Sequence, residues 1–474
     1  MKRIVHKTMK KTMFALFFGN RGFFPESLIA SARKEMEERL EQLGCGALMM
    51  PVTDTPHGAV ESVADGEKYA AWLATKRGQF EGVILCLPNF GDETGAVAAL
   101  KDAGVPILIH AYPDEPDKMG FKHRRDAFCG KFSIMDVFCQ YDLPFTAFPP
   151  HTLDPRTDAF AENVRDFARV CRVVKGMKNF TVGAIGARTT AFKTVRFDEL
   201  TLQRRGITCE TLDLSSVISA VRQLKDDDQR VTRKSDRLRG YTNFSAVPSA
   251  SFLTLAKLGV VFDDVIDRWK LDALAVRCWL ELEMELKIAP CVLVSELNDR
   301  HIPCACEVDV CNAVAMHALQ LASGQPATCL DWNNNYGDDP DKCILFHCGP
   351  VPQSLMTGKG EVIDHPMFAK ALGAGCGWGP NVGRIAPTAM TFASCKTENG
   401  QLTFYLGEGE ITKDKIADDF FGCAGVARIA NLQDKLQKIG CEGYRHHVSL
   451  TPGHVERAVR EAFIRYLKYD LQSW

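Results

Sequence analysis

The sequence contains 474 residues, of which 46% are hydrophobic and 24% are charged, and its formal net charge is −2. This length is too great for a single core and predicts two to four domains. The near-neutral balance excludes a broad electrostatic attraction to nucleic acid or to an anionic membrane. The expected partner is therefore a small molecule.

Eighteen cysteines raise the question of disulfides or zinc. No Cys-x-x-Cys occurs, and the densest group, Cys304, Cys306 and Cys311, stands among apolar residues, which predicts buried free thiols and a reducing compartment. The basic N-terminus is followed by an apolar run, residues 13–18, that is too short for a signal peptide, and no other stretch approaches the length of a membrane span. We therefore expect a cytoplasmic protein with no membrane partner.

Short apolar runs alternate with helical patterns along the first third of the chain. Residues 14–18, 83–87 and 107–109 predict strands, and residues 27–43, rich in Glu, Arg, Leu and Ala, predict a helix. This alternation predicts a parallel sheet covered by helices. A second series begins at Phe180, so we place an N-terminal α/β domain at residues 1–173.

A second α/β domain is predicted for residues 174–325, with a strand at residues 291–294 and a helix at residues 310–321. A strand at residues 328–330 follows. After residue 350 glycine becomes frequent and helical periodicity fades, which predicts a β-rich, barrel-like C-terminal domain over residues 326–474. That domain is expected to end in a helix from about Gly453 to Lys468.

Glu307, Asp331 and His347 each stand where an apolar run gives way to polar or small residues, which is where α/β sheets bind ligands. Two carboxylates and imidazoles at such positions suit a hard divalent cation. Glu307 also precedes a predicted helix, where an acid can simply stabilise the helix dipole. Of the adjacent His446 and His447, neighbours in an extended segment face opposite sides, and we favour His447 as the inward one.

Motifs across most of the chain carry a resemblance to a known family. They include Gly19-Asn-Arg-Gly-Phe-Phe-Pro-Glu-Ser, Leu87-Pro-Asn-Phe-Gly-Asp-Glu and Cys306-Glu-Val-Asp. With them the chain resembles the L-fucose isomerase and L-arabinose isomerase family. Glu307 and Asp331 lie 24 positions apart, a spacing similar to that of the two metal-binding carboxylates of L-fucose isomerase. His447 best matches the third ligand of the family.

The resemblance implies two Rossmann-like parallel-sheet domains followed by the β-rich domain, in a homo-oligomer that is a hexamer or trimer-based. It implies an aldose–ketose isomerase of carbohydrate metabolism that uses Mn²⁺ or another divalent cation such as Mg²⁺ or Co²⁺. The active site would lie between subunits, with Arg21 and Asn89 of one chain covering the metal of another. His347 and Trp378 are assigned to sugar binding, although His347 could also be a fourth metal ligand or a group behind the ligands.

Isomerisation moves a proton between C1 and C2 through an ene-diol, whose negative charge a chelated cation stabilises. Glu307 and Asp331 are the expected acid/base pair and also ligate the metal. The identity of the sugar stays open, since extra arginines such as Arg21 and Arg277 also fit a sulfonated or phosphorylated sugar. A metal-dependent epimerase or aldolase is the enzymatic alternative, and a two-lobed sugar-binding protein is the non-enzymatic one.

Overall fold

The structure is a computed structural model, and it describes residues 11–472. The described chain divides into two compact units. One comprises residues 11–175 with residues 457–468, and the other comprises residues 176–456 with residues 469–472. In the described range no helix is both long and apolar enough to cross a membrane.

The first unit is built on a parallel four-stranded sheet of order β2-β1-β3-β4. Its strands are β1 (Met13–Phe18), β2 (Gly46–Met49), β3 (Gly82–Leu87) and β4 (Ile107–Ala111). Its helices are α1 (Ser27–Gln42), α2 (Val63–Thr75), α3 (Glu93–Leu100), α4 (Ala127–Gln140) and α5 (Asp158–Met177). All six residues of β3 are buried, as expected for a parallel strand covered on both faces. The predicted parallel sheet is confirmed.

The second unit begins with another parallel four-stranded sheet, of order β6-β5-β7-β8. Its strands are β5 (Phe180–Ile185), β6 (Ile207–Leu212), β7 (Ala273–Val276) and β8 (Cys304–Cys306). Its helices are α6 (Glu199–Arg204), α7 (Leu214–Gln223), α8 (Gln229–Tyr241), α9 (Ser249–Trp269), α10 (Glu281–Leu286), α11 (Cys291–Asp299) and α12 (Val310–Ser323). This sheet confirms the second α/β region.

The predicted strand at residues 291–294 is wrong, because these residues form the first turn of α11. Residues 291–298 are all buried, so this part of the helix has no solvent-exposed face. A short and wholly apolar run cannot be assigned to helix or strand from periodicity alone.

The rest of the second unit is a nine-stranded sheet in which six strands close into a barrel. Its strands are β9 (Thr328–Asn335), β10 (Lys342–His347), β11 (Glu361–Asp364), β12 (Trp378–Arg384), β13 (Thr388–Glu398), β14 (Gln401–Ile411), β15 (Cys423–Arg428), β16 (His447–Pro452) and β17 (Asp470–Gln472). The closed ring runs β15-β10-β9-β16-β13-β14 and returns to β15. Two helices, α13 (Pro366–Leu372) and α14 (Leu432–Cys441), connect its strands. The barrel-like prediction is confirmed.

A final helical segment belongs to the first unit: α15 (Glu456–Glu461) continues as a π-helix over Ala462–Leu467. Arg457 pairs with Asp166, with Nη2 and Oδ2 2.5 Å apart. The Tyr466 hydroxyl lies 2.9 Å from Thr146 Oγ1. The helix expected near the C-terminus is therefore present, and these polar contacts join it to the α/β sheet unit.

All 18 cysteines are free and 14 of them are buried, which confirms the expectation of buried thiols. Only Cys129, Cys139 and Cys441 are exposed. The cysteine side chains therefore act as small apolar groups in the core.

A buried ion network supports the helices of the second unit. Glu296 on α11 is 1% exposed and pairs with Arg237, with Arg300 at 3.1 Å and with Lys234 at 3.6 Å. Asp263 on α9 completes the network through Lys234 at 2.6 Å and Arg300 at 2.7 Å. Because three cations share the Glu296 carboxylate, Glu296 is the critical member of the network.

We expect Glu296→Gln to lower the free energy of unfolding by about 3–5 kcal/mol, because it leaves buried cations short of a counter-charge. The matched control is Glu285→Gln, which breaks a half-exposed pair with Arg222 and should cost less than about 1 kcal/mol. Urea unfolding followed by circular dichroism measures both. Equal losses in the two variants would contradict the assigned role of Glu296.

Candidate active site

The barrel register brings the carboxylates and histidines together. Asp331 on β9 lies opposite His447 on β16 and opposite Phe346 on β10, the residue before His347. Glu307 follows β8 directly, as its sequence position predicted. Asp331, in contrast, lies within β9 rather than after it, because that strand runs on through polar residues to Asn335. Three neighbouring strands of the barrel and the end of β8 in the second parallel sheet thus bring these groups together.

Four buried atoms converge at this point. His447 Nε2 lies 2.9 Å from Glu307 Oε2 and 3.5 Å from Asp331 Oδ1, and His347 Nε2 lies 3.8 Å from Glu307 Oε2. All four atoms are buried, and none makes an aligned hydrogen bond with protein. Buried polar atoms normally have partners. The ligand atoms fall into two overlapping groups that share His447, namely Glu307, His347 and His447, and Asp331, His446 and His447. The imidazole nitrogens and carboxylate oxygens of these groups fit Mn²⁺ or a similar divalent cation.

His446 also lies near Asp331, with its Nε2 3.7 Å from Oδ1 and its side chain 43% exposed. The sequence predicted that it would face away from His447. The two rings are instead only 4.5 Å apart, because His446 precedes the first residue of β16 and the alternation of a regular strand does not apply to it. His446 therefore borders the site on its solvent side.

Behind His447 lies a fully buried carboxylate, Asp309, which the sequence analysis missed. Its Oδ2 lies 2.8 Å from His447 Nδ1 and accepts a hydrogen bond of 2.6 Å from Asn312 Nδ2, and its Oδ1 pairs with Arg445. Asp309 also caps α12 by accepting from the Asn312 amide at 3.1 Å. A carboxylate that fixes the far nitrogen of a histidine orients the near nitrogen toward a metal.

The pKa values of Glu307, His447 and Asp309 are each shifted by the neighbouring charged groups. Burial raises the pKa of the Glu307 carboxyl, but His347 and His447 lower it further, and the net pKa lies well below its ordinary value. Burial lowers the pKa of His447, whereas Asp309 and Glu307 raise it well above the usual value. Burial likewise opposes ionisation of Asp309, yet Arg445 and His447 hold its pKa at about 2. The carboxylates of Glu307 and Asp309 are thus held in their charged form.

The backbone at Glu307 is unusual. Glu307 and Val308 have φ angles of 60° and 59°, and a β-branched residue rarely occupies the left-handed region. Such conformations concentrate at functional sites, where the surrounding structure compensates for their cost. Here the turn sets the Glu307 side chain beside His447 and places Asp309 at the start of α12.

An aromatic wall stands beside the carboxylates. Trp279 Nε1 donates to Glu307 Oε1 at 3.3 Å. The Phe192 ring lies 5.8 Å from Trp279, 5.4 Å from His446 and 5.7 Å from His447. Trp378, assigned to the sugar from the sequence, begins β12 and packs partly buried against the core of the second α/β sheet.

Arg21 and Asn89 lie in the first unit, at the carboxyl ends of its strands. Asn89 is fully buried and donates to Asn20 Oδ1 at 2.5 Å and to the Pro25 carbonyl at 3.4 Å. Arg21 pairs with Glu93 and lies over the Phe90 ring, 4.4 Å from its centroid. Within their own unit, these two residues brace the loops that follow β1 and β3.

The two α/β regions, the closed barrel and the carboxylate–histidine cluster belong to a sugar isomerase of the aldose–ketose class, as the comparisons with known proteins show. One family model, "Fucose/sulfoquinovose isomerase, N-terminal domain", matches residues 15–178, and another, "L-fucose isomerase, C-terminal domain", matches residues 345–474. The chain belongs to this family of isomerases. The resemblance found in the sequence is confirmed.

Curated relatives support the same conclusion. A sulfoquinovose isomerase of Priestia megaterium is 23% identical over 410 residues, covering 84% of this chain and 86% of the relative. A sulfoquinovose isomerase of Alkalicoccus urumqiensis is 23% identical over 379 residues, covering 79% and 82%. The similarity therefore extends over most of both proteins.

Proposed function

We propose that this enzyme interconverts the aldose and ketose forms of a sulfonated monosaccharide, with a divalent cation at Glu307, Asp331 and His447. The observation that carries the proposal is the cluster of four buried ligand atoms around His447 Nε2, none of which makes an aligned hydrogen bond with protein. The sulfonated substrate is supported by the relatives, which are named sulfoquinovose isomerases. Isomerisation of a neutral sugar such as L-fucose or arabinose is the second candidate, favoured by the match of the C-terminal model.

Mn²⁺ is the preferred cation, with Mg²⁺ or Co²⁺ as substitutes, and when bound it stabilises the negative charge of an ene-diol. Glu307 and Asp331 form the acid/base pair that carries the proton between C1 and C2. Trp279 binds Glu307 Oε1 and leaves Oε2 directed at the site. We assign His347 as a fourth ligand or a sugar contact, which the 3.8 Å distance between its Nε2 and Glu307 Oε2 supports.

We also propose a cytoplasmic homo-oligomer, hexameric or trimer-based, in which Arg21 of one chain covers the site of another, while the buried Asn89 acts indirectly by bracing the loop that carries Arg21. Exposed aromatic side chains of the first unit support this proposal: Phe23, Phe121, Phe128 and Phe132 are 66%, 84%, 52% and 55% exposed. Phe128 and Phe132 are also neighbours, with ring centroids 5.7 Å apart, and adjacent exposed apolar groups mark interaction surfaces. Light scattering tests the assembly, and a monomer at micromolar concentration would contradict it.

The decisive experiment treats metal-stripped enzyme, with and without Mn²⁺, with neutral and sulfonated aldoses in deuterated water. We expect ketose to form only with metal and deuterium to appear at C2 of aldose recovered from the mixture. An epimerase would give a new aldose instead, and an aldolase would give shorter fragments. If none of these aldoses were converted in the presence of Mn²⁺, the proposed function would be wrong.

A further inference from the structure

The segment that follows β5, residues 187–198, is called here the β5–α6 loop. It lies at the carboxyl end of the second parallel sheet and is anchored beside the carboxylates by two hydrogen bonds. Arg277 Nη1 donates to the Ala187 carbonyl at 3.1 Å, and Thr189 Oγ1 donates to the Trp279 carbonyl at 3.1 Å. From these anchors the loop carries the Phe192 ring to within 5.4 Å of His446 and 5.7 Å of His447. The loop therefore borders the catalytic site.

The β5–α6 loop carries three cations, Arg188, Lys193 and Arg196. Within residues 11–472, none of the three has a carboxylate at ion-pair distance. The Arg188 guanidinium donates only to the carbonyls of Thr189 and Thr190, at 3.0 and 3.2 Å, and Arg196 Nε donates to the Lys193 carbonyl at 3.0 Å.

Other cations of this region are compensated. Arg277 pairs with Glu281, and Arg445 pairs with Asp309. The three cations outnumber the single carboxylate of the loop, Asp198, which caps α6 by accepting from the Leu200 amide at 3.0 Å. The loop therefore keeps an excess of positive charge. A concentrated positive potential beside a cleft attracts an anionic ligand and orients it.

We infer that the β5–α6 loop binds the anionic group of the sugar, with Arg188 and Lys193 on either side of Phe192 as the contacts that select a charged substrate. The inference rests on the proposed function and deepens it. A sulfonate carries a full negative charge at any physiological pH and offers three acceptor oxygens. Guanidinium and ammonium donors form strong charge-assisted hydrogen bonds to such groups. A sugar with a hydroxyl in place of the sulfonate cannot form such charge-assisted hydrogen bonds with the loop.

The test compares Arg188→Gln and Lys193→Gln with wild-type enzyme on a sulfonated hexose and on the same hexose bearing a hydroxyl in place of the sulfonate. For the sulfonated sugar we expect KM to rise about tenfold in each variant, the loss of one charge-assisted hydrogen bond. For the neutral sugar KM should not change. The control is Lys359→Gln, which removes an exposed lysine from a different loop of the same unit and should leave both values unchanged.

Salt provides a second readout, because ion pairing at a partly exposed site is screened by added electrolyte. KM for the sulfonated sugar should rise with NaCl in wild-type enzyme and rise less in the variants. A merely structural role of the loop would raise KM for both sugars equally, which would overturn the inference.

The outcomes distinguish a wrong substrate from a wrong role for the β5–α6 loop. If wild-type enzyme with Mn²⁺ converts only neutral sugars, the sulfonated substrate is wrong and the inference falls with it. If wild-type enzyme converts the sulfonated sugar and both variants match it in KM and salt response, the proposed function stands and the inference alone is overturned. Mn²⁺ should raise the melting temperature of each variant by as much as it raises that of the wild-type enzyme, which verifies that the cation site is intact.

Discussion

Glu307→Gln is expected to lower kcat by at least about 10³-fold with every sugar that the wild-type enzyme converts. The substitution preserves the size of the side chain and its contact with Trp279, but it removes the charge that accepts a proton. General acid/base groups alone contribute about 10²–10⁴-fold. Glu307 also supplies one of the four converging ligand atoms, so the variant loses cation affinity as well.

Two measurements separate these effects. Turnover is followed across a Mn²⁺ titration, and exchange of the C2 hydrogen is followed in deuterated water at saturating metal. Excess metal should restore binding without restoring exchange. The matched control is Glu361→Gln on β11, an exposed carboxylate outside the site, which should retain wild-type turnover. Near-normal exchange in Glu307→Gln would show that the acid/base role belongs to another residue.

The elements that position the site were largely predictable. The strand ends at Glu307 and His347 could be predicted because an apolar run stops abruptly at each of them. The barrel could be predicted because glycine is frequent and the strand-like runs are short. Pairing of β9 with β16 was not predictable, because it joins residues more than 100 positions apart. That pairing alone brings Asp331 opposite His447.

The errors have physical causes. The strand assigned to residues 291–294 is helical because a segment buried on every side carries no periodic signal. His446 lies beside Asp331 because it precedes the first residue of β16, so the alternation expected within an extended segment does not apply to it. Asp309 was missed although Asp309 and Asn312 have the spacing of a helix N-cap, which is a signal for structure and not for function. Only the fold shows that this cap also holds His447.

Asp309→Asn is expected to weaken Mn²⁺ binding by about 10- to 100-fold, the usual effect of losing a group that orients a ligating histidine. The amide has nearly the same shape, but it removes the negative charge shared by His447 and Arg445. Without that charge the His447 ring is held less firmly toward Glu307 and is a weaker ligand. A competition assay with a fluorescent chelator measures the change directly, independent of activity.

Loss of stability must be distinguished from loss of ligand orientation, since Asp309→Asn also leaves Arg445 buried without its counter-charge. The control is Ser449→Ala, because Ser449 lies on the same strand as His447. This substitution removes the 2.8 Å hydrogen bond from Ser449 Oγ to Asn312 Oδ1 and leaves Asp309 unchanged. That variant should lose about 1 kcal/mol of stability and keep its Mn²⁺ affinity. Because saturating Mn²⁺ compensates for weak binding, it should restore most of the turnover of Asp309→Asn but not that of Glu307→Gln. If Asp309→Asn kept wild-type affinity for Mn²⁺, Asp309 would be a helix cap and nothing more.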